Sequence, residues 1–376
     1  MMKTNLSLRD YSLLLSLAAI WAFFAFVSPQ YLSARNLSSL SVELAITATL
    51  ALGMLLVILP GHIDLSVGSG VGLVGGIAAV LVIKFGWPAI LAFIPAIGVA
   101  LLLWLGQGAL IVRQRIPAFI VTLGGLLMFK GVFWLVIGTQ TVPVAPGGRP
   151  NIFSLLTTYY LPPQASLGLI AVVVIILSVV TLRARRRRSA MGFAIDEAEM
   201  AFLKLFVIAQ ILMLFVLTVN HFRGIPLTVV ILGIVALGIH IITRHTPFGR
   251  HLYAIGGNEE AAFVSGVPVQ RVVIGAFTLL GGIVAITGLM QTAYSGASTT
   301  TVGDLMELDA IAACVIGGTS LRGGRGSVPG VIFGALIMAS LLNGMTLLAV
   351  PPELKFIARG AVLTLAVWMD VKLSKR

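Results

Sequence analysis

The chain is built from long apolar runs parted by short polar interruptions, which hold much of the proline, glycine and charge. Runs fall at 11–28, 43–60, 66–83, 88–112, 117–138, 167–182, 203–220, 225–243, 272–294, 308–320, 328–349 and 356–371. Most approach the roughly 20 residues that a helix needs to cross a bilayer. The run at 308–320 is short and glycine-rich. None alternates with period two, which argues against a membrane β-barrel. Inside lipid the backbone must satisfy its own hydrogen bonds, and helices do so locally. The pattern therefore predicts an all-α, polytopic transmembrane bundle of about twelve spans, some short or broken. The first run follows Lys3 and Arg9, as a signal peptide would. No small-x-small site follows in AFVSPQY (25–31), so the run is read as a retained span.

Composition strengthens this picture. The chain has 376 residues, 58% hydrophobic and 10% charged, with mean hydropathy +1.06. A soluble domain carries about 25% charged residues. The single cysteine, Cys314, excludes an internal disulfide framework. No gap between runs holds a soluble domain, so residues 1–376 read as one membrane domain.

A net charge of +12 raises the question of nucleic acid. Its placement answers otherwise. With an inner N-terminus, most Lys and Arg fall at inner ends, from Lys3 and Arg9 through the RARRRR run (183–188) and Arg244 to Lys375 and Arg376. Arg35, Lys84, Arg149, Arg223, Lys355 and Arg359 fall at outer ends, and Lys130 within a span. This is the positive-inside asymmetry, with both termini cytoplasmic. The partner it implies is anionic lipid, not nucleic acid.

Glycines cluster at helical spacing, as in Gly72 with Gly76 and Gly330 with Gly334, where they let helices approach closely. A faint echo links 119–131 with 276–288, of the kind expected from two related halves.

Catalytic chemistry finds no footing. The five histidines form no metal spacing, and no nucleophile elbow occurs. GGTSLRGGRGS (317–327) lacks the Gly-Lys of a phosphate loop. No catalytic residue, metal ligand or cofactor is expected on this chain. Carboxylates at membrane depth are costly and usually functional; here they are Glu43, Asp64, Asp304, Glu307 and Asp309. In LPGHIDLSVGSG (59–70), Pro60 and Gly61 break one helix and Asp64 is placed to cap the next. Asp309 is read in the same way, as a cap or as a ligand group.

The stretch HLYAIGGNEEAAFVSGVPVQR (251–271) predicts a two-turn helix between apolar runs. Asn258 caps it, Glu259 and Glu260 suit its positive end, Gly266 stops it, and Pro268 prevents resumption. So short a helix is marginal alone and needs a surface to lie against. That surface is either the chain's own helix ends or another subunit.

Three stretches in order carry a resemblance: GHIDLSVGS (61–69), GRHLYAIGGNEEAAFVSGVPVQR (249–271) and DAIAACVIGGTSLRGGRGSVPGVIFGA (309–335). They resemble the permeases of bacterial ATP-binding-cassette monosaccharide importers, the ribose, xylose, galactose and arabinose types. His62 stands where that family has glycine. The Arg-rich addition at 183–222 is most like the longer xylose permeases. The resemblance implies an inner-membrane homodimer, two cytoplasmic ATPase subunits carrying ATP and Mg, and a periplasmic sugar-binding protein. It implies a coupling loop at 244–271, with Gly256, Gly257, Asn258, Glu259, Glu260, Ala261, Ala262, Ser265 and Gly266 at the ATPase. It places Gly61, His62, Asp64, Ser66, Gly68, Asp309, Gly317, Gly318, Thr319 and Ser320 in broken-helix turns or on the translocation path. Alternatives are an ion-coupled secondary sugar transporter, or a permease of the same family for ribose, galactose or another small solute. A membrane scaffold for a cytoplasmic complex is a further one.

Overall fold

The protein is described by a computed structural model over residues 8–193 and 198–374; Lys3, Lys375 and Arg376 lie outside the described residues. Its helices are α1 (Leu8–Val27), α2 (Ala34–Ile58), α3 (Val67–Ile83), α4 (Ala89–Gln114), α5 (Ala118–Ile137), α6 (Ile152–Thr158), α7 (Pro163–Ala190), α8 (Ala198–Asn220), α9 (Leu227–His245), α10 (Pro247–Gly257), α11 (Glu259–Val264), α12 (Val269–Ser295), α13 (Met306–Ile316), α14 (Val328–Leu347) and α15 (Pro352–Ser374). Among the described residues, eight are long and apolar enough to cross a membrane: α2, α4, α5, α7, α8, α9, α12 and α14. Helices α1 and α3 contain shorter apolar stretches. This is a polytopic helical membrane protein. Two-residue strands, β1 (Val142–Pro143) and β2 (Ala297–Ser298), pair antiparallel and tie the α5–α6 loop to the end of α12.

Helix α2 forms the axis of the core, buried nearly all round from Ala45 to Leu59. It runs antiparallel to α12, with Gly53 packed on Leu280 and Ile283, and Ile46 clustered with Met290. Helix α3 is almost all small and apolar, so three neighbours close on it at once. Gly70 meets Trp104 of α4, Gly72 and Gly76 meet Phe133 of α5, and Gly75 meets Thr292 and the Gly288 carbonyl of α12. Gly330 and Gly334 bring α14 onto the Gly317 and Ala313 backbone at the end of α13. The glycine pairs thus serve close helix packing.

Helices α2 and α12 share a further design. Each is long, then gives way to an irregular stretch (59–66 and 296–305), then to a short helix (α3 and α13). Because α2 and α12 are antiparallel, the two units run in opposite senses. The 119–131 and 276–288 echo falls in α5 and α12.

Several boundaries differ from the apolar runs. Helix α2 begins nine residues early, because Ser33 caps it and the polar positions find partners: the Asn36 amide donates to Asn343, and the Tyr294 hydroxyl to Glu43. Helix α7 continues through the arginine run to Ala190, since arginine is a good helix former. Helix α15 begins at Pro352, four residues ahead of the apolar run, which puts Arg359 two turns inside it. Helices α7 and α8 pack on each other at the periphery, with a small core of their own at Ile170, Val216, Val219 and Ile225.

Candidate functional site

The first break follows from how α2 ends. The Gly61 amide donates to Ile58 O at 2.8 Å and the His62 amide to Val57 O at 3.0 Å. Gly61 sits at φ +92, where a side chain would be strained. This paired closure is a Schellman cap. The chain then runs without regular structure to Ser66. Asp64, fully buried, accepts from the Ser66 amide (2.7 Å) and hydroxyl (2.6 Å) through Oδ1. Its Oδ2 accepts from the Trp104 indole at 2.7 Å. Gln107 reaches Ser66 Oγ at 3.2 Å, and the Thr122 hydroxyl reaches the Ile63 carbonyl at 3.3 Å. Irregular backbone in such a bundle survives only where protein satisfies its polar groups, and here α4 and α5 do so. Asp64 does not cap α3: Ser66 holds the N-cap position without a side-chain cap bond, and Asp64 instead ties down the Ser66 amide and hydroxyl just ahead of the helix. Trp104, Gln107 and Thr122 carry no local signal that would mark them as its supports.

Helix α13 ends in the same way, ahead of the loop at 317–327. The Gly318 amide donates to Val315 O at 3.0 Å and the Thr319 amide to Cys314 O at 2.9 Å, with Gly318 at φ +95. The loop then folds on itself, Ser320 N donating to Arg325 O at 3.0 Å. It also bonds to the first break, through Gly324 N to Leu59 O at 2.9 Å. Gly61, Gly317, Gly318, Thr319 and Ser320 therefore lie at one shared junction.

The 244–271 segment completes it. The expected two-turn helix is α11. The Asn258 side chain accepts from the Ala261 amide at 2.9 Å. Gly266 closes it at φ +84, with Val267 N donating to Ala262 O at 3.1 Å. The pattern did not reveal α10, which Thr246 caps through the Gly249 amide at 3.2 Å. Helix α10 carries Gly256 and Gly257 in its last turn and seats the segment on the turn after α2 and the loop after α13. Gly256 lies against the Leu59 carbonyl and the Gly323–Gly324 backbone, so closely that a Cβ would collide with all three. The Tyr253 hydroxyl donates to Gly326 O at 2.9 Å, and Arg244 lies over the Tyr253 ring, 5.9 Å from its centroid.

His62 faces this junction beside Phe277, ring centroids 6.1 Å apart. Burial pushes its imidazole below the usual range, against the opposing pull of the Glu259 carboxylate. On α11 only Ala262 is buried; Glu259, Glu260, Ala261 and Ser265 are exposed, and Phe263 and Val264 stand 70% and 85% exposed. Two exposed apolar side chains thus stand beside two exposed carboxylates on α11.

Gly68 and Asp309 lie apart from this junction. Gly68, in the first turn of α3, touches the Glu307 carboxylate and the Gly303 carbonyl. Asp309 is in the first turn of α13 but forms no local cap. It pairs with Arg359 of α15 at 3.0 Å, a partner fifty residues away that sequence spacing does not reveal. Among the described residues, no cluster of three His, Cys, Asp or Glu could hold a metal.

A family profile described as the permease component of the branched-chain amino acid transport system matches residues 36–367. The chain belongs to this permease family. It is 41% identical to the xylose transport system permease protein XylH of Escherichia coli K12, over 99% of this chain and 94% of the relative. It is 40% identical to the Haemophilus influenzae protein of the same name, over 99% and 98%. To the ribose import permease RbsC of Escherichia coli K12 it is 31% identical, over 98% and 96%. No solved structure matches the chain significantly.

Proposed function

We propose that this chain is the permease subunit of an ATP-binding-cassette importer for a monosaccharide, xylose first among the candidates. The assembly has two copies of it in the bacterial inner membrane, two cytoplasmic ATPase subunits that bind ATP and Mg, and a periplasmic sugar-binding protein. Residues 1–376 form one permease domain and 244–271 its coupling segment. The cargo rests on identity: relatives named for xylose stand at 40–41%, and those named for ribose at 31%. The amino-acid description of the family is broader than any one member.

The observation that carries the mechanism is the seating of α10. Its exposed neighbour α11 offers the ATPase a docking face through Asn258–Gly266, while Gly256 rests on both broken turns at once. When the ATPase pair closes on nucleotide, a push on α11 reaches residues 59–66 and 317–327 together. These turns border the path, and their movement switches which side of the membrane it opens to. In an ion-driven carrier Asp64 and Asp309 would be ion sites, but three donors hold the first and Arg359 holds the second.

The test is Glu259→Lys with Glu260→Lys in the reconstituted importer. These side chains are exposed, so the fold is retained. Sugar-stimulated ATP hydrolysis and uptake should both fall at least tenfold, the effect of about 1.4 kcal/mol in coupling. Turnover equal to wild type would overturn the docking assignment.

A further inference from the structure

A second region of the molecule holds charge that the coupling junction does not use. A cleft of about 540 Å³ opens between α5, α13 and α15. Its polar lining is Ser69, Lys130, Asp304, Glu307 and Arg359, among Leu126, Leu308 and Phe356. Lys130 stands two turns inside α5, where it pairs with Asp304 and donates to the Thr300 carbonyl at 2.8 Å. Arg359 stands two turns inside α15 and pairs with Asp309. Leu305, at the cleft wall, is held at φ +64, a strained value for this residue type.

The cleft's open side cannot face hydrocarbon. The Asp304 side chain is 48% exposed and the Lys130 side chain 20%, and Lys130 stands two turns inside a helix of spanning length, where charge in contact with lipid is strongly disfavoured. Around them, Leu127, Met128, Leu135 and Ile357 present large apolar surfaces of the kind that does face lipid. The charged strip between those faces must therefore border water.

We propose that this cleft is the sugar-binding station of the translocation path, with Lys130, Asp304, Glu307 and Arg359 reading the hydroxyl groups of a pentose. The proposal rests on the monosaccharide-permease reading above and locates its cargo. Both cations already face carboxylates, Lys130 with Asp304 and Arg359 with Asp309, so neither is left to hold an anion or the carboxylate of a zwitterion unless a pair is broken. A neutral polyol needs no such break. Each hydroxyl both donates and accepts, which matches the donors and acceptors still left on the paired groups. The apolar lining beside them suits the C–H faces of a sugar ring. Glu307 is fixed in place because its carboxylate packs on Gly68, where no other residue leaves room.

The test uses Gly360→Cys in the complete reconstituted importer. A side chain at Gly360 meets no atom within 4 Å, and the native Cys314 is buried. A membrane-impermeant maleimide should label this thiol, and millimolar xylose should slow the labelling. Leucine should not. Adding Lys130→Met with Asp304→Asn, which removes the pair without stranding a charge, should raise the protecting xylose concentration about tenfold or more. Absence of labelling, protection by leucine in place of xylose, or xylose protection unchanged by the double substitution would each overturn the station. If the wild-type importer moves xylose while any of these holds, the permease reading stands and the station alone fails. If the wild-type importer moves no monosaccharide with ATP, both fail.

Discussion

Gly256 offers a test in which two adjacent substitutions carry opposite signs. Inside a helix, Gly→Ala ordinarily stabilises by about 1 kcal/mol. At Gly257 the space beyond the Cα is open, so Gly257→Ala should realise that gain. At Gly256 the new methyl would enter the Leu59 carbonyl and the Gly324 amide. These neighbours are main chain and cannot rotate aside. Overpacking of this kind costs about 1–3 kcal/mol. Parting Gly324 N from Leu59 O forfeits one further hydrogen bond, about 1 kcal/mol. Set against the helix gain, Gly256→Ala should destabilise the junction by about 1–3 kcal/mol, and the two variants should differ by about 2–4 kcal/mol. Hydrogen exchange at the Gly324 amide reads this locally: about a tenfold or greater loss of protection for Gly256→Ala, and none for Gly257→Ala. In the reconstituted importer, Gly256→Ala should lower sugar moved per ATP, while Gly257→Ala should leave it intact. Equal protection in the two variants would refute the three-way contact on which the coupling argument depends.

Two further outcomes follow from the same geometry. Asn258→Ala removes the cap of α11 and should cost about 1 kcal/mol, seen as roughly fivefold faster exchange at the Ala261 amide; Asn258→Asp should restore it. Trp104→Phe takes a donor from the buried Asp64 carboxylate and should lower unfolding stability by about 2–3 kcal/mol, whereas Trp87→Phe, at an exposed position, should change it by less than about 0.5 kcal/mol.

What the sequence disclosed was local. Hydrophobic runs marked where helices lie, although among the described residues eight, not about twelve, are long and apolar enough to cross a membrane and the run at 308–320 is the eleven-residue α13; Asn258, Gly266, Pro60 and Gly61 marked starts and stops, because caps and helix breaks are written within a few residues of where they act. The profile of α11 was readable for that reason. Helix α10 escaped notice because Gly256 and Gly257 look like a loop until the surface they fit against is known. Arg359 and Asp309, Trp104 and Asp64, and Lys130 and Asp304 meet only after folding. Each is a polar residue in an apolar setting whose partner lies on a distant element, so the sequence raised the question of a partner without naming it. The arginine run was correctly tied to one end of the bundle, but its helical extension depended on propensity that the fall in hydropathy obscured.

The meeting of Gly68 with Gly303 has a consequence for how such carriers diversify. There the two oppositely directed broken elements touch main chain to main chain. At that joint the two glycines leave room only for the Glu307 carboxylate, so nearly every substitution of either glycine is a loss. Variation in cargo is thereby channelled into the residues bordering the joint, and chains that carry different solutes can share one hinge while differing a few ångströms away.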